Sequence, residues 1–238
     1  MIAISSMLSS AAQDKLSLQR VWETIDVNSC PHHYNFHMHT VASDGKLTPS
    51  ELIQQALDIK LNGFAITDHH SVEGYKKAQE YLNSLEQNEQ SDRPSTTVRD
   101  RFTLWTGLEV TSILSGVEVH ILCYAFDPEH SALQPYLQGY SPNGEDARAE
   151  KVIDSIHQAG GLAVLAHPHR YRRPAKELVP VAAQSGIDGI EVYYSYGSSN
   201  PWKPTPKKTQ EAYRLATQYN LYMTCGTDTH GSDLLSRV

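Results

Sequence analysis

Residues 34–45 read YNFHMHTVASDG. The opening six residues have the aromatic-rich alternation of a β-strand, and side chains two apart on a strand share a face. His37 and His39 therefore project together from the end of this segment, close enough to grip one cation. Alone the pair is weak: with twelve histidines in 238 residues it occurs by chance about as often as not. A buried structural pair explains it equally well.

The surrounding chain supplies the context. Strand-like runs, most of them rich in β-branched or aromatic residues, occur at 34–39, 63–67, 103–110, 117–124, 161–166, 189–193 and 221–225. Helical patterns fill the gaps. One opens at Thr48-Pro49, carries Leu52, Ile53, Ala56, Leu57 and Leu61 on one face, and ends before Gly63; others span 73–86, 145–159, 175–185 and 208–219. This alternation implies parallel βαβ units, wound into a barrel or a doubly wound open sheet. The polar, proline-interrupted stretch 84–100 reads as an exposed loop, residues 1–30 as a peripheral, partly helical extension, and 31–238 as one domain. No internal repeat is present.

Polar residues at the strand ends decide between the two windings. Asp68-His69-His70, Glu109, His120, His167 and Asp228-Thr229-His230 each sit at the C-terminal end of a predicted strand, and Asp44 follows the first strand in a short loop. A parallel barrel delivers all such ends to one rim. A purely structural reading needs a separate accident for each of these costly groups. Imidazole nitrogens with carboxylate oxygens suit Mn, Zn or Fe better than Ca or Mg, and the absence of cysteine among these groups argues against a closed structural zinc site.

Composition narrows the class. A formal charge of −7 argues against a protein that coats nucleic acid, since that mode neutralises many phosphates with Lys and Arg. Cys30, Cys123 and Cys225 form no disulfide framework, which fits a reducing cytoplasm. No apolar run is long enough to span a bilayer, and the N-terminus lacks signal-peptide character.

The segments HMHTVASDG, ITDHH, GLEVT, VHILCYAFDP, LAHP and GTDTHG, in this order between residues 34 and 231, resemble the motifs of the PHP (polymerase and histidinol phosphatase) superfamily. The resemblance implies a distorted (β/α)7 TIM-like barrel with a site for two or three divalent metal ions (Mn, Zn or Fe) at its mouth. Motif by motif it implies His37, His39, Glu109 and Asp228 around one ion, Glu109 bridging to a second held by His120 and His167, and Asp44, His69 and His230 around a third. Residues 107–128 and 166–174 look most like the TrpH/YciV-like phosphoesterases, which act on nucleoside bisphosphates or trim short oligonucleotides from the 5′ end. Those proteins usually carry an inserted segment between the positions of His120 and His167, where 46 residues intervene here.

The expected reaction is hydrolysis of a phosphate ester by a metal-activated water. Asp68 and His70 are candidates for orienting ligands or relaying a proton; strand alternation does not tell which of Asp68, His69 and His70 faces the metals, and the family motif favours His69. Arg170 and Arg172, in a loop with His169, Arg173 and Lys176, are candidates for binding phosphate. Tyr193, Tyr194, Tyr196 and Trp202, followed by Lys203, Lys207 and Lys208, are candidates for stacking a base. The leading expectation is a phosphorylated small molecule or short nucleic acid as substrate, in the nucleotide class. The alternatives are a small-metabolite phosphatase, as for histidinol phosphate, and a non-catalytic PHP interaction module. Metal-dependent C–N hydrolysis calls for a bridging lysine after a middle strand, and none stands there.

Overall fold

The computed structural model describes residues 12–89, 102–197, 199 and 201–237. Among them lie helices α1 (Lys15–Trp22), α2 (Pro49–Asp58), α3 (Glu73–Glu89), α4 (Ala149–Gln158), α5 (Ala175–Gln184) and α6 (Pro206–Tyr219). The strands are β1 (Tyr34–Asn35), β2 (Gly63–Ala65), β3 (Thr103–Trp105), β4 (Gly107–Leu114), β5 (Val117–Tyr124), β6 (Leu162–Leu165), β7 (Gly189–Tyr193) and β8 (Tyr222–Cys225).

The strands form two sheets, a parallel β1-β2-β3 and a mixed β4-β5-β6-β7-β8. Single parallel bridges link them on both sides, Met38 to Thr229 and His69 to Glu109. The architecture is therefore mixed α/β with two sheets that do not close into one continuous barrel. Parallel pairing throughout, the expectation from the alternation, fails at β5, which runs antiparallel to both β4 and β6. The cause is local. Leu114 and Val117 are separated by two residues, Ser115 (φ 52°) and Gly116 (φ 75°), both left-handed, as a primed hairpin turn requires. The predicted strand 103–110 is in fact two, which part at Thr106, whose hydroxyl donates to the Phe126 carbonyl (2.9 Å). Gly107 starts β4 so close to β2 that a Cβ there would lie 2.3 Å from the Ile66 carbonyl oxygen.

Two apolar clusters support the sheets. The larger holds the strands of the mixed sheet against α1, α4, α5 and α6, and the smaller holds Met38, Leu52, Ile53, Phe64 and Leu234 between β2 and α2. α2 is well specified locally: Thr48 and Glu51 form a reciprocal capping box with Pro49 at its start. α1 is not peripheral, as the expected extension would be. Its Trp22 is buried, with its ring centroid 5.3 Å from that of Tyr124 and 6.2 Å from that of Phe36. Of the predicted loop 84–100, the part to Glu89 continues α3 and the rest lies outside the described residues. No helix among the described residues is long and apolar enough to cross a membrane.

Far from the strand ends that carry the histidines, His157 at the end of α4 meets Asp188 before β7, with Nε2 2.8 Å from Oδ2. The Asp188 hydrogen bond raises the His157 pKa, with smaller electrostatic help from Asp188 and Asp154 and opposition from burial and Lys15. A folded-state pKa raised above the unfolded value stabilises the protein below the unfolded value, near 6.5, and that contribution disappears as pH climbs through the folded value. The stability lost in His157→Gln should accordingly be measurable by urea unfolding at pH 6 and shrink toward zero by pH 9. A pH-independent loss would show that the ion pair is not its source.

Candidate metal centre

The histidines and acids singled out in the sequence converge at one end of the strands. His37 and His39 follow β1, and their alternation with buried Phe36 and Met38 turns both rings inward. Glu109 is the third residue of β4, and its buried carboxylate lies at the centre. Its Oε2 is 3.0 Å from Nε2 of both His37 and His39 and 3.6 Å from Nε2 of His69; its Oε1 is 2.7 Å from His120 Nδ1 and 3.5 Å from His167 Nε2. Asp228 Oδ1 lies 3.3 Å from Nε2 of His37 and of His39. On the outer side, Asp44 Oδ2 is 3.2 Å from His230 Nε2 and 3.9 Å from His69 Nε2. Glu109 and His120 reach the mouth from inside their strands, not from C-terminal ends, because the β4–β5 hairpin runs on past the rim.

Three donor groups result, in each of which the ligand atoms lie within 4.8 Å of one another: His37, His39, Glu109 and Asp228; His69, Glu109 and His120; and His39, Asp44, His69 and His230. Both ring nitrogens of His39 and of His167 are buried and make no well-aligned hydrogen bond, although Glu109 lies 3.0 and 3.5 Å from their Nε2 atoms. Burying such groups unpaired is costly, so orphaned imidazoles facing a shared carboxylate fit a site built for cations. The donor chemistry, imidazole with carboxylate, suits divalent transition metals.

The electrostatics agree. Burial alone would lower His37 and His39, but Glu109, Glu191 and Asp228 hold His37 well above its usual value, and the facing carboxylates of Asp228 and Glu109 raise His39 to about 9. Burial opposes ionisation of Glu109 and Asp228, yet the surrounding histidines keep both carboxyls well below their usual range. His69 is depressed to about 4, chiefly by burial, and His167 is lowered for the same reason. The backbone is strained here as well: His167 (φ 25°) and Asp228 (φ 55°) are left-handed. Gly226 is required on steric grounds, since a Cβ would lie 2.2 Å from His37 Cβ.

The four residues expected to orient ligands or substrate behave differently from one another. Asp68 is turned away from the cluster: Oδ1 accepts from Thr40 N (2.7 Å) and Ser43 Oγ (2.8 Å), and Oδ2 from Thr40 Oγ1 (2.7 Å). It holds the 40–45 loop that presents Asp44. His70, at φ 51°, points its Nε2 at the Thr111 hydroxyl (3.1 Å), and burial lowers its pKa to about 4. It thus packs as a neutral ring beside β4, outside all three donor groups. Arg170 reaches the centre through Asp228, its Nη1 2.9 Å from Oδ2, while Arg172 is exposed and makes no ion pair with the cluster. Asp68→Asn, which leaves one acceptor oxygen and an NH₂ where a carboxylate accepts from three donors, should cost roughly 1–3 kcal/mol of stability in denaturant unfolding. No loss would mean that the loop is held by something else.

The ligands have further supports, of which the sequence left Glu191 open between such a role and a structural salt bridge and gave no sign of Tyr171 or Arg237. Glu191 accepts from His167 N (2.9 Å) and lies 3.1 Å from His37 Nδ1, orienting both. The Tyr171 hydroxyl accepts from His120 N (2.8 Å) and donates to the Ala166 carbonyl (3.0 Å). The Tyr194 hydroxyl and Arg237 both donate to Asp228 Oδ2, at 2.6 and 2.9 Å. None of these forms a motif with its chain neighbours, and only the surrounding fold reveals them. The aromatic candidates also differ from expectation: Tyr193, Tyr194 and Trp202 are buried, and the Tyr196 ring lies under Lys208 Nζ at 4.3 Å. A cavity of about 260 Å³ opens beside them, lined by Arg170, Tyr194, Tyr196, Lys208 and Arg237 among others.

Comparison with known proteins places this geometry in context. A family model described as PHP domain matches residues 35–219. The 5′-3′ exoribonuclease Rnm of Salmonella typhimurium is 26% identical over 268 aligned positions, covering 83% of this chain and 85% of that protein. The 5′-3′ exoribonuclease of Haemophilus influenzae is 23% identical, covering 83% and 89%. Both alignments are longer than the chain itself, so gaps separate the two sequences. Among solved structures, an amidohydrolase from Chromobacterium violaceum superposes with a TM-score of 0.65 at 20% identity, covering 84% of this chain and 88% of that one, a likeness of fold.

Proposed function

Since the chain belongs to the PHP family and is a metal-dependent phosphoester hydrolase, we propose that it acts on nucleotides or short oligonucleotides, cleaving a phosphate ester at the His/Glu/Asp cluster. The observation that carries this reading is the juxtaposition of a buried donor cluster with a cation-lined cavity. Arg170, Lys208 and Arg237 line the cavity, and both arginines also touch Asp228. One end of a substrate then meets the cluster while a second anionic group lies among the three cations. The exoribonuclease names of the two relatives support the nucleotide class.

His37, His39, Glu109 and Asp228 would hold one ion, Glu109, His120 and His167 a second, and Asp44, His69 and His230 a third, with Mn, Zn or Fe as the fitting metals. A bound divalent ion supplies a Lewis acid that makes water acidic enough to attack near neutrality and offsets charge building on phosphoryl oxygens. The chain's own residues do the rest. Glu191 orients the His37 ring, Asp68 pins the loop that carries Asp44, and Arg170 neutralises phosphate charge with a planar fork suited to it.

The test, with Mn²⁺ or Zn²⁺, is release of phosphate from a nucleoside 3′,5′-bisphosphate and from histidinol phosphate, and release of phosphate or mononucleotide from a 5′-phosphorylated oligoribonucleotide. Turnover that depends on the nucleotide portion is the expected result. Equal turnover of histidinol phosphate would shift the reading to a small-metabolite phosphatase, and no metal-dependent turnover of any of them would overturn it.

A further inference from the structure

We propose that residues 231–237, beyond the stretch that matches the family, complete the metal centre. In this proposal Arg237, with Arg170 and Tyr194, is a positioning residue that occupies one oxygen of Asp228 and leaves the other to the ion. The inference rests on reading the cluster as a metal site.

The geometry of Asp228 is asymmetric. Oδ2 receives three donors, Tyr194 Oη at 2.6 Å and Arg170 Nη1 and Arg237 Nε each at 2.9 Å. A carboxylate oxygen offers about two lone pairs, so this one is saturated. Oδ1 instead faces the imidazoles, 3.3 Å from Nε2 of His37 and of His39. Asp228 is thereby set to give one oxygen, in one direction. Two guanidinium groups beside a cation site repel a cation, so their presence there needs a compensating use, and fixing the ligand is one.

Arg237 is delivered deliberately by the local structure. Leu234 is fully buried in the smaller apolar cluster, its N–H donates to Gln55 Oε1 (3.0 Å), and Gln55 Nε2 donates to the Ser232 carbonyl (2.9 Å). Thr229 Oγ1 donates to the Ser236 carbonyl (2.6 Å), and His230 N to the Arg237 carbonyl (2.7 Å). The segment is a strap tied to α2 and to the residues flanking His230. Its last described side chain ends on the metal-ligating carboxylate.

Contact with substrate in the 260 Å³ cavity is a second use of Arg237, separate from its hold on Asp228. The two uses separate in a titration that needs no turnover. Mn²⁺ is titrated calorimetrically into chelator-treated wild type, Arg237→Met, Arg237→Lys and Tyr194→Phe, with thermal unfolding of each metal-free protein as the fold control. Arg237→Met should weaken the tightest Mn²⁺ step by roughly 10–100-fold, as outer groups that orient ligands do. Arg237→Lys should recover much of that loss. Tyr194→Phe removes an uncharged donor from the same oxygen and should weaken Mn²⁺ by several-fold, which keeps the question answerable if Arg237→Met does not fold. Unchanged or tighter Mn²⁺ binding in Arg237→Met and Tyr194→Phe would overturn the proposal, since electrostatics alone predicts tighter binding once a cation is removed. A raised KM with unchanged Mn²⁺ affinity would assign Arg237 to substrate instead. If wild type itself takes up neither Mn²⁺ nor Zn²⁺, the metal reading fails first, and this inference with it.

Discussion

Glu109→Gln is expected to abolish phosphoester hydrolysis, by a factor on the order of 1000 or more, because the charge lost is the one that organises catalytic electrostatics. Glu109 is within 3.6 Å of five imidazoles through its two oxygens, and it belongs to two of the three donor groups. The amide keeps the shape but removes the negative charge, and it presents an N–H₂ to at least two ring nitrogens that need an acceptor or a metal. His37 and His39, held above their usual pKa largely through Glu109 and Asp228, lose a principal partner. Metal content of the purified variant should fall along with activity, while far-ultraviolet circular dichroism stays that of a folded protein. Retention of more than a tenth of wild-type turnover would mean that the carboxylate is not at the chemical centre. Loss of the fold would instead make it a structural anchor.

A second large effect is expected on stability. Saturating the chelator-treated protein with Mn²⁺ or Zn²⁺ at about 1,000 times the dissociation constant adds about 4.1 kcal/mol to the folded state. For a chain of this size each kcal/mol moves the melting temperature by about 2–4 °C, so the shift should be on the order of 10 °C. The donors fit such a response, because the nitrogens of His39 and of His167 are buried without a well-aligned hydrogen bond, a deficit that an ion would remove. Differential scanning calorimetry with and without metal measures it directly. A shift under about 2 °C at saturating metal would show that the cluster does not prefer the folded state for binding, against the whole reading of the site.

Much of this centre was legible in the chain. β5 and β7 fall on residues 117–124 and 189–193, as the β-branched runs indicate, and the histidines and acids at or near the strand ends meet at one mouth. The reason is physical: strand periodicity is local, and a set of costly polar groups recurring at the same point of successive units has few explanations besides a shared site. What escaped was whatever depends on a distant partner or a small turn. The Ser115-Gly116 turn reverses β5: the sequence shows a break between the strands at 103–110 and 117–124, but strand pattern alone does not fix the direction in which they pair. Asp68 carries the same motif signature as a ligand; only the positions of Thr40 and Ser43 show its oxygens to be occupied. Arg237 stands in no motif, and its meaning comes from Asp228, to which the strap returns it. Trp22 belongs to the core through Tyr124, about a hundred residues away.

The two single bridges between the sheets have a consequence for how the molecule breathes. Among the described residues the sheets are joined by the bridges Met38–Thr229 and His69–Glu109 and by the Phe36 N–H donating to the Cys225 carbonyl (3.0 Å), and both bridges involve or adjoin ligand positions. His37, His39 and His69 come from one sheet, and Glu109, His120, His167, Asp228 and His230 from or beside the other. Any ion held between them rivets two half-shells along their seams. The amide protons of Phe36, His39, His70, Glu109 and Asp228, which donate across the seams, should therefore exchange with solvent by a local parting of the shells that metal suppresses, while those inside each sheet wait for a wider opening.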